Sequence, residues 1–268
     1  MTHSPQRRTF LTGTAAATAA ALTQINSATA HDDGGDGREF YEWRRYQIAD
    51  AAKHKLVSTY VHTALQPALN RHGIDRVGVF TPADDQDHSA LYLLIAYPKI
   101  SKWIKLGDTL AGDKAYQAAA RDFYAQPRKT PAYQRIENQF MHAFSGMPRM
   151  ELPAQTKSKA PRVFEWRKYE SHNEATARLK VEMFDKGEIQ IMRDVKLAPV
   201  FYGATLIGNR VPNLTYMLSA PDMPAHEKHW DAFRNHPEWT RMKGLARYKG
   251  TVSKITNGFV VPTAYSQI

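Results

Sequence analysis

At 268 residues, with 43% hydrophobic and 23% charged content, the chain has room for one large domain or two ordinary ones. It is too rich in aliphatic and aromatic side chains to be disordered. It contains no cysteine, which excludes disulfides, thiolate metal sites and a cysteine nucleophile. The net charge of +10 favours acidic partners or an anionic surface. The basic residues are scattered rather than clustered, so nucleic acid is set aside as a partner.

Residues 1–30 read as a signal peptide. Arg7-Arg8-Thr9-Phe10-Leu11 precedes an uncharged Ala/Thr-rich stretch that ends in Ala28-Thr29-Ala30. A charged start, a mildly apolar middle and a small-x-small end are the three parts of a secretory signal, with cleavage expected after Ala30. The paired arginines followed by x-Phe-Leu are similar to the twin-arginine class, which exports proteins already folded. The stretch is too polar to span a bilayer stably, so no transmembrane anchor is expected after processing. Its removal leaves 34 basic against 26 acidic residues, a net +8. The expected location is the periplasm or the medium. Folding before export allows a cofactor to be loaded but does not require one, and none is assigned.

After the Gly/Asp-rich linker 31–37, the first repeat covers residues 38–145. A strand over Tyr41–Ile48 ends at Asp50, a helix N-cap. In the following helix Leu56, Tyr60 and Ala64 form one apolar line, and Val57, Val61, Leu65 and Leu69 an adjoining one, until Gly73 ends it. Pro67 is placed to kink it. Two β-rich runs follow, Arg76–Phe80 and Ala90–Tyr97, joined by the turn-forming Pro82-Ala83-Asp84-Asp85. A second helical stretch, from about Ile100 to Tyr124, is interrupted over Gly107–Asp113, and a last strand lies near Tyr133–Phe144.

The Pro/Ser/Lys-rich segment 146–161 is a linker, and residues 162–268 write the same order again. Glu39-Phe40-Tyr41-Glu42-Trp43-Arg44-Arg45-Tyr46 is matched by Arg162-Val163-Phe164-Glu165-Trp166-Arg167-Lys168-Tyr169. Trp103 is answered by Trp230, and Ile136-Glu137-Asn138-Gln139-Phe140 by Ile255-Thr256-Asn257-Gly258-Phe259. A periodic recurrence of this length means two copies of one structural unit. The second copy has Asn173 as a cap for a helix to about Lys196, strands at Val200–Ile207 and Leu214–Ser219, a helix over His226–Tyr248 and a strand near Ile255–Val261. Each copy is therefore a βαββαβ, ferredoxin-like unit: an antiparallel sheet with both helices on one face and the other face bare. Packing the bare faces together gives an α+β fold, an intramolecular version of the dimeric α/β barrel. A monomer with an internal pseudo-dimer is expected, open to higher oligomers.

Three motifs together resemble the NIPSNAP family: Glu42-Trp43-Arg44-Arg45-Tyr46, Ala68-Leu69-Asn70-Arg71-His72-Gly73 before Gly78, and Trp230-x-x-Phe233-x-x-His236-Pro237-x-Trp239. The resemblance covers about residues 39–268. The first copy departs from the third motif, having Trp103, Leu106 and Tyr116 with four extra residues between the aromatics. The resemblance implies the fold but no assigned reaction. The wider barrel superfamily holds haem-handling proteins and cofactor-poor monooxygenases acting on phenolic molecules.

Strand alternation separates Tyr41, Trp43 and Arg45 from Glu42, Arg44 and Tyr46. Assigning the aromatic phase to the helix side directs Glu42, Arg44, Tyr46, Glu165, Arg167 and Tyr169 into a polar barrel interior. Ionised groups at such depth are paired or hold something. They either pair across the pseudo-twofold axis or grip an anionic or phenolic ligand through the guanidinium fork. His226, His229 and His236 have no fixed carboxylate partner in sequence, so no metal is assigned. Trp230, Phe233 and Trp239 read as packing residues. Neither a phosphate-binding loop nor a nucleophile elbow is present in the sequence. Three readings stand: a binding protein for a small polar or anionic ligand or a partner, an enzyme of the monooxygenase-like or haem-handling type, and a surface-interaction module. The leader carries one direct test. Arg7→Lys with Arg8→Lys is expected to strand unprocessed protein in the cytoplasm, followed by immunoblotting of cell fractions; normal processing would point to the general secretory route.

Overall fold

A computed structural model describes residues 1, 36–84 and 87–268. The expected signal peptide lies outside the described residues. Eight strands, with helices after the first and third of each four, follow the order βαββαβ twice: β1 (Phe40–Gln47), β2 (Val77–Pro82), β3 (Ala90–Tyr97) and β4 (Arg135–Ala143), then β5 (Val163–Glu170), β6 (Ala198–Ile207), β7 (Asn213–Ala220) and β8 (Lys254–Pro262). They close into one antiparallel barrel in the order β1-β3-β2-β8-β5-β7-β6-β4. Each repeat supplies four neighbouring strands, and two seams join them. At one seam Phe80 of β2 pairs with Pro262 of β8; at the other Met141 of β4 pairs with Thr205 of β6. Closure leaves no sheet edge to template aggregation.

The first helices of the two repeats begin at matching caps. Asp50 and Asn173 both have extended backbone, and their side chains accept from the amides of Lys53 and Thr176. The first helix passes through a wide π-turn, Val61–Leu65, and the second is interrupted at the matching place, Phe184–Glu188, where Gly187 leaves helical backbone, before they resume as Gln66–Arg71 and Ile189–Asp194. The first ends beside Pro67 and the second holds the non-helical Gly187, so the repeats interrupt the helix at matching places with different residues. The expected interruption after Ile100 takes the form of four short helices between Ile100 and Tyr124, whereas the second repeat has Met223–Arg234 and Pro237–Gly244.

The strand faces are opposite to the assignment made from sequence. Tyr41, Trp43, Phe80 and Leu94 pack with Phe164, Phe201 and Met217 in a single core drawn from both repeats, which is the inside of the barrel. Register explains the phase. Tyr41 and Trp43 lie opposite Ala96 and Leu94, while Glu42, Arg44 and Tyr46 lie opposite Ile95, Leu93 and Leu91. Those three aliphatic residues belong to the core beneath the helices of the first repeat, with Val57, Leu65 and Leu69. Two sheets packed face to face about 10 Å apart interdigitate large apolar side chains, and Tyr, Trp and Phe fill that layer. Glu42, Arg44, Tyr46, Glu165, Arg167 and Tyr169 therefore lie between sheet and helices, not inside the barrel. Because the shared core needs both repeats, residues 38–150 expressed alone would place its apolar sheet face in water. Aggregate or a homodimer is expected by size-exclusion chromatography with light scattering, and a well-folded monomer would contradict the shared core.

Candidate functional site

In the second repeat the sheet–helix layer contains a cavity of about 620 Å³, within the size range of small-molecule sites. Its polar floor is built on Glu165 of β5, whose side chain is 2% exposed. One carboxylate oxygen accepts from Arg167 Nη1 at 2.5 Å and from Asn257 Nδ2 at 2.8 Å. The other accepts from Trp230 Nε1 at 2.9 Å and lies 3.0 Å from His226 Nε2, which is itself 3.0 Å from Trp230 Nε1. Burial opposes ionisation of Glu165, but the hydrogen bond from His226, the Arg167 charge and the bond from Trp230 outweigh it and hold the carboxyl below its ordinary value. Arg167 also lies over the Trp230 ring, 4.6 Å from its centre, and its Nε is 3.4 Å from the Tyr169 hydroxyl. Tyr169 shares a 2.9 Å hydrogen bond with Tyr216.

A second ionic pair lines the same cavity. Lys180 Nζ donates to Glu188 Oε2 at 2.6 Å, with side chains only 4% and 2% exposed. Burial pushes the Glu188 carboxyl upward, and the Lys180 charge opposes that. The ammonium also sits 4.5 Å from the centre of the Phe184 ring. The interrupted helix carries both partners: the interruption ends on Glu188, eight positions after Lys180.

The first repeat shows the same frame without the site. From the matching caps, Lys180 stands where that repeat has Val57, and Glu188 where it has Leu65; both counterparts are buried apolar residues. Ala220 pairs with Val163 as Tyr97 pairs with Phe40. Tyr97 fills its space and donates to Glu42 at 2.8 Å, the bond that completes the Glu42–Arg44 pair. Trp103 stacks on Phe140, centroids 4.1 Å apart, and Tyr60 stacks on Phe123 at 3.8 Å. In the second repeat the smaller Ala220 and Met183 replace Tyr97 and Tyr60, and Trp230 turns its ring nitrogen to Glu165.

The structure thus places the six residues expected from sequence in two separate groups, Glu42-Arg44-Tyr46 under one set of helices and Glu165-Arg167-Tyr169 under the other. The ion pairs form within one strand, Arg44 to Glu42 and Arg167 to Glu165, and not across the pseudo-twofold axis. Residues two apart on a strand share a face, so each arginine folds back on its own glutamate. Sequence reasoning missed Lys180 and Glu188, left His226 without a fixed partner, and read Trp230 as a packing residue. A residue-by-residue comparison of the repeats carries the signal: charges in Lys180 and Glu188 break an apolar line that Val57 and Leu65 keep.

The NIPSNAP family model matches residues 164–267. The NIPSNAP-matching stretch is the second repeat, and it contains every cavity residue named above. Comparison with curated proteins finds no match. Among solved structures, a "putative monooxygenase" of Lactobacillus acidophilus NCFM is 11% identical, covering 84% of this chain and 94% of its own, with a TM-score of 0.54. A protein of the same description from Fusobacterium nucleatum is 6% identical, with 85% and 93% covered and a TM-score of 0.51. A NIPSNAP-like domain protein from Burkholderia xenovorans is 20% identical over 39% of this chain and 88% of its own, with a TM-score of 0.36. At these identities the first two likenesses speak for the barrel fold.

Proposed function

We propose that this is an exported NIPSNAP-like binding protein that takes a small anionic or phenolic molecule in the cavity of its second repeat. One observation carries the reading: at matching positions the first repeat is apolar and filled, and the second is ionic and open. A buried ion pair is weak evidence for stability, because apolar residues of similar volume do as well or better by about 1–4 kcal/mol. This protein contains that apolar alternative in its own first repeat, so the retained Lys180–Glu188 pair calls for a role other than holding the fold. Arg167 and Lys180 supply positive charge for an acidic group, Tyr169 a hydroxyl, and Trp230, Trp239 and Phe259 apolar walls for a ring.

A second reading rests on His226. Its Nε2 lies 3.0 Å from the buried Glu165 carboxylate and 3.0 Å from Trp230 Nε1, so an imidazole and an acid stand together on the cavity wall, the pairing of groups that proton transfer uses. On that reading the bound phenol or acid is also a substrate. The two barrel neighbours with a monooxygenase description share this fold, and the reading draws on His226 rather than on their names.

The test exchanges the site for its counterpart. Lys180→Val with Glu188→Leu is expected to leave stability unchanged or to raise it by about 1–4 kcal/mol. Lys180→Val alone leaves Glu188 buried without a partner and is expected to cost about 3–5 kcal/mol. Thermal melts against a panel of small carboxylates and phenols then read binding. A ligand at a hundredfold excess over its dissociation constant stabilises wild type by about 2.7 kcal/mol and the double variant not at all. Equal ligand shifts in wild type and double variant would refute the site.

A further inference from the structure

The hairpin between β6 and β7 carries a second asymmetry between the repeats. Its ladder ends at Ala204 opposite Leu214, and residues 205–213 continue beyond it at the end of the barrel where β1 and β5 finish. Leu206, Ile207 and Val211 are 50%, 61% and 53% exposed there. Single exposed apolar residues need no explanation, whereas three on one hairpin tip do. The matching hairpin of the first repeat, between β2 and β3, carries Asp84, Asp85 and Asp87 in its sequence instead. In the order of the closed barrel β2 and β3 stand across from β6 and β7, so this end has an acidic side and an aliphatic side. The aliphatic tip is held in its shape. Asn213, only 4% exposed, donates from Nδ2 to the carbonyls of Asn209 at 3.0 Å and Arg210 at 2.9 Å, and its Oδ1 accepts from the Thr205 hydroxyl at 2.6 Å. Folding the aliphatic side chains back would break bonds to a buried amide.

Positive charge surrounds the tip. Arg210 sits in the turn with its side chain 62% exposed, 3.6 Å from Glu170. Arg45 and Lys168 line a recess with Asn209 and Glu137, and Arg178 lines another with Pro212 and Glu174. Lys254 lies opposite Glu170 in the β5–β8 ladder, and Arg135 begins β4, the strand beside β6. Cations therefore outnumber carboxylates around the hairpin, in a chain whose net charge is +10. An aliphatic tip among cations matches an anionic bilayer, where apolar side chains enter the acyl boundary and Lys and Arg meet the headgroups. A second copy of the chain fits less well. A stable interface buries about 800 Å² on each partner, and three half-exposed aliphatic side chains on one turn offer far less. A protein partner fits less well too, because Trp, Tyr and Arg dominate such interfaces and Leu and Val are under-represented among their strongest contacts.

We propose that the β6–β7 hairpin docks this protein on an anionic phospholipid bilayer, with Leu206, Ile207 and Val211 entering the interface and Arg210 among the headgroups. The docking does not depend on the second-repeat cavity. Flotation of the full chain with lipid vesicles tests it. Vesicles of phosphatidylcholine and phosphatidylglycerol in equal parts are expected to hold the protein about tenfold or more tightly than phosphatidylcholine alone, and raising the salt is expected to erase that preference. Ile207→Asp with Val211→Asp, both at exposed positions, is expected to weaken binding to the mixed vesicles by about tenfold or more, with unchanged melting temperature. Because the chain has no cysteine, Ile207→Cys and Ala83→Cys can each carry one environment-sensitive dye, on opposite hairpins. A blue shift of emission with mixed vesicles is expected at position 207 and not at 83.

Binding to neither kind of vesicle would overturn the proposal. So would binding that survives Ile207→Asp with Val211→Asp, or a dye that shifts equally on the two hairpins. A concentration-dependent dimer in light scattering, abolished by the same double variant, would overturn it by giving the tip to a second copy of the chain.

Discussion

Each four-stranded sheet in this protein has helices on one side only, and its other face is too apolar to stand in water. The two repeats remove that exposure by closing on each other through the β2–β8 and β4–β6 seams. The placement of the strand side chains follows from this closure. The inward phase of β1 and β5 must be large and apolar to fill the space between sheets, which gives Tyr41, Trp43, Phe164 and Trp166 their place. The opposite phase, with Glu42, Arg44, Glu165 and Arg167, then falls in the layer between sheet and helices.

The repeats obey the same constraint and use their outer layers differently. The first fills its layer with Tyr60, Tyr97 and Trp103, so that Glu42 is satisfied by Arg44 and one tyrosine. The second substitutes smaller or charged residues at matching positions and satisfies Glu165 through Arg167, His226, Trp230 and Asn257. This division of labour is available to a tandem chain and closed to a symmetric homodimer, where any change appears in both halves. One half can remain optimised for packing while the other accepts the cost of buried charge.

The repeat, the order of elements and the closed α+β barrel were legible from the strand motifs and turn residues, because they rest on local periodicity and on an apolar face that must be covered. The candidate glutamates and arginines were legible too, as charges in strands otherwise built to be buried. Their direction was not. In Tyr41-Glu42-Trp43-Arg44-Arg45-Tyr46 both phases hold an aromatic residue and an arginine, so alternation defines two faces without saying which one meets the partner sheet. Lys180 and Glu188 sit eight positions apart on a helix and read as a solvated face until the interruption at Gly187 shows them turned to the same cavity. The carboxylate that His226 meets is none of its neighbours in sequence but Glu165, from a strand 61 residues away.

The central claim is that the second repeat opens a cavity in a layer that the first repeat keeps packed. The absence of cysteine makes this directly measurable, because Met183→Cys and Val57→Cys each give the chain a single thiol. Met183 is 3% exposed and lines the cavity, while Val57 is 0% exposed in the packed layer. Under native conditions a small uncharged thiol reagent is expected to modify Met183→Cys many-fold faster than Val57→Cys, which should react only as the protein unfolds. Equal protection of the two thiols, with both labelled only through unfolding, would contradict an open cavity in the second repeat.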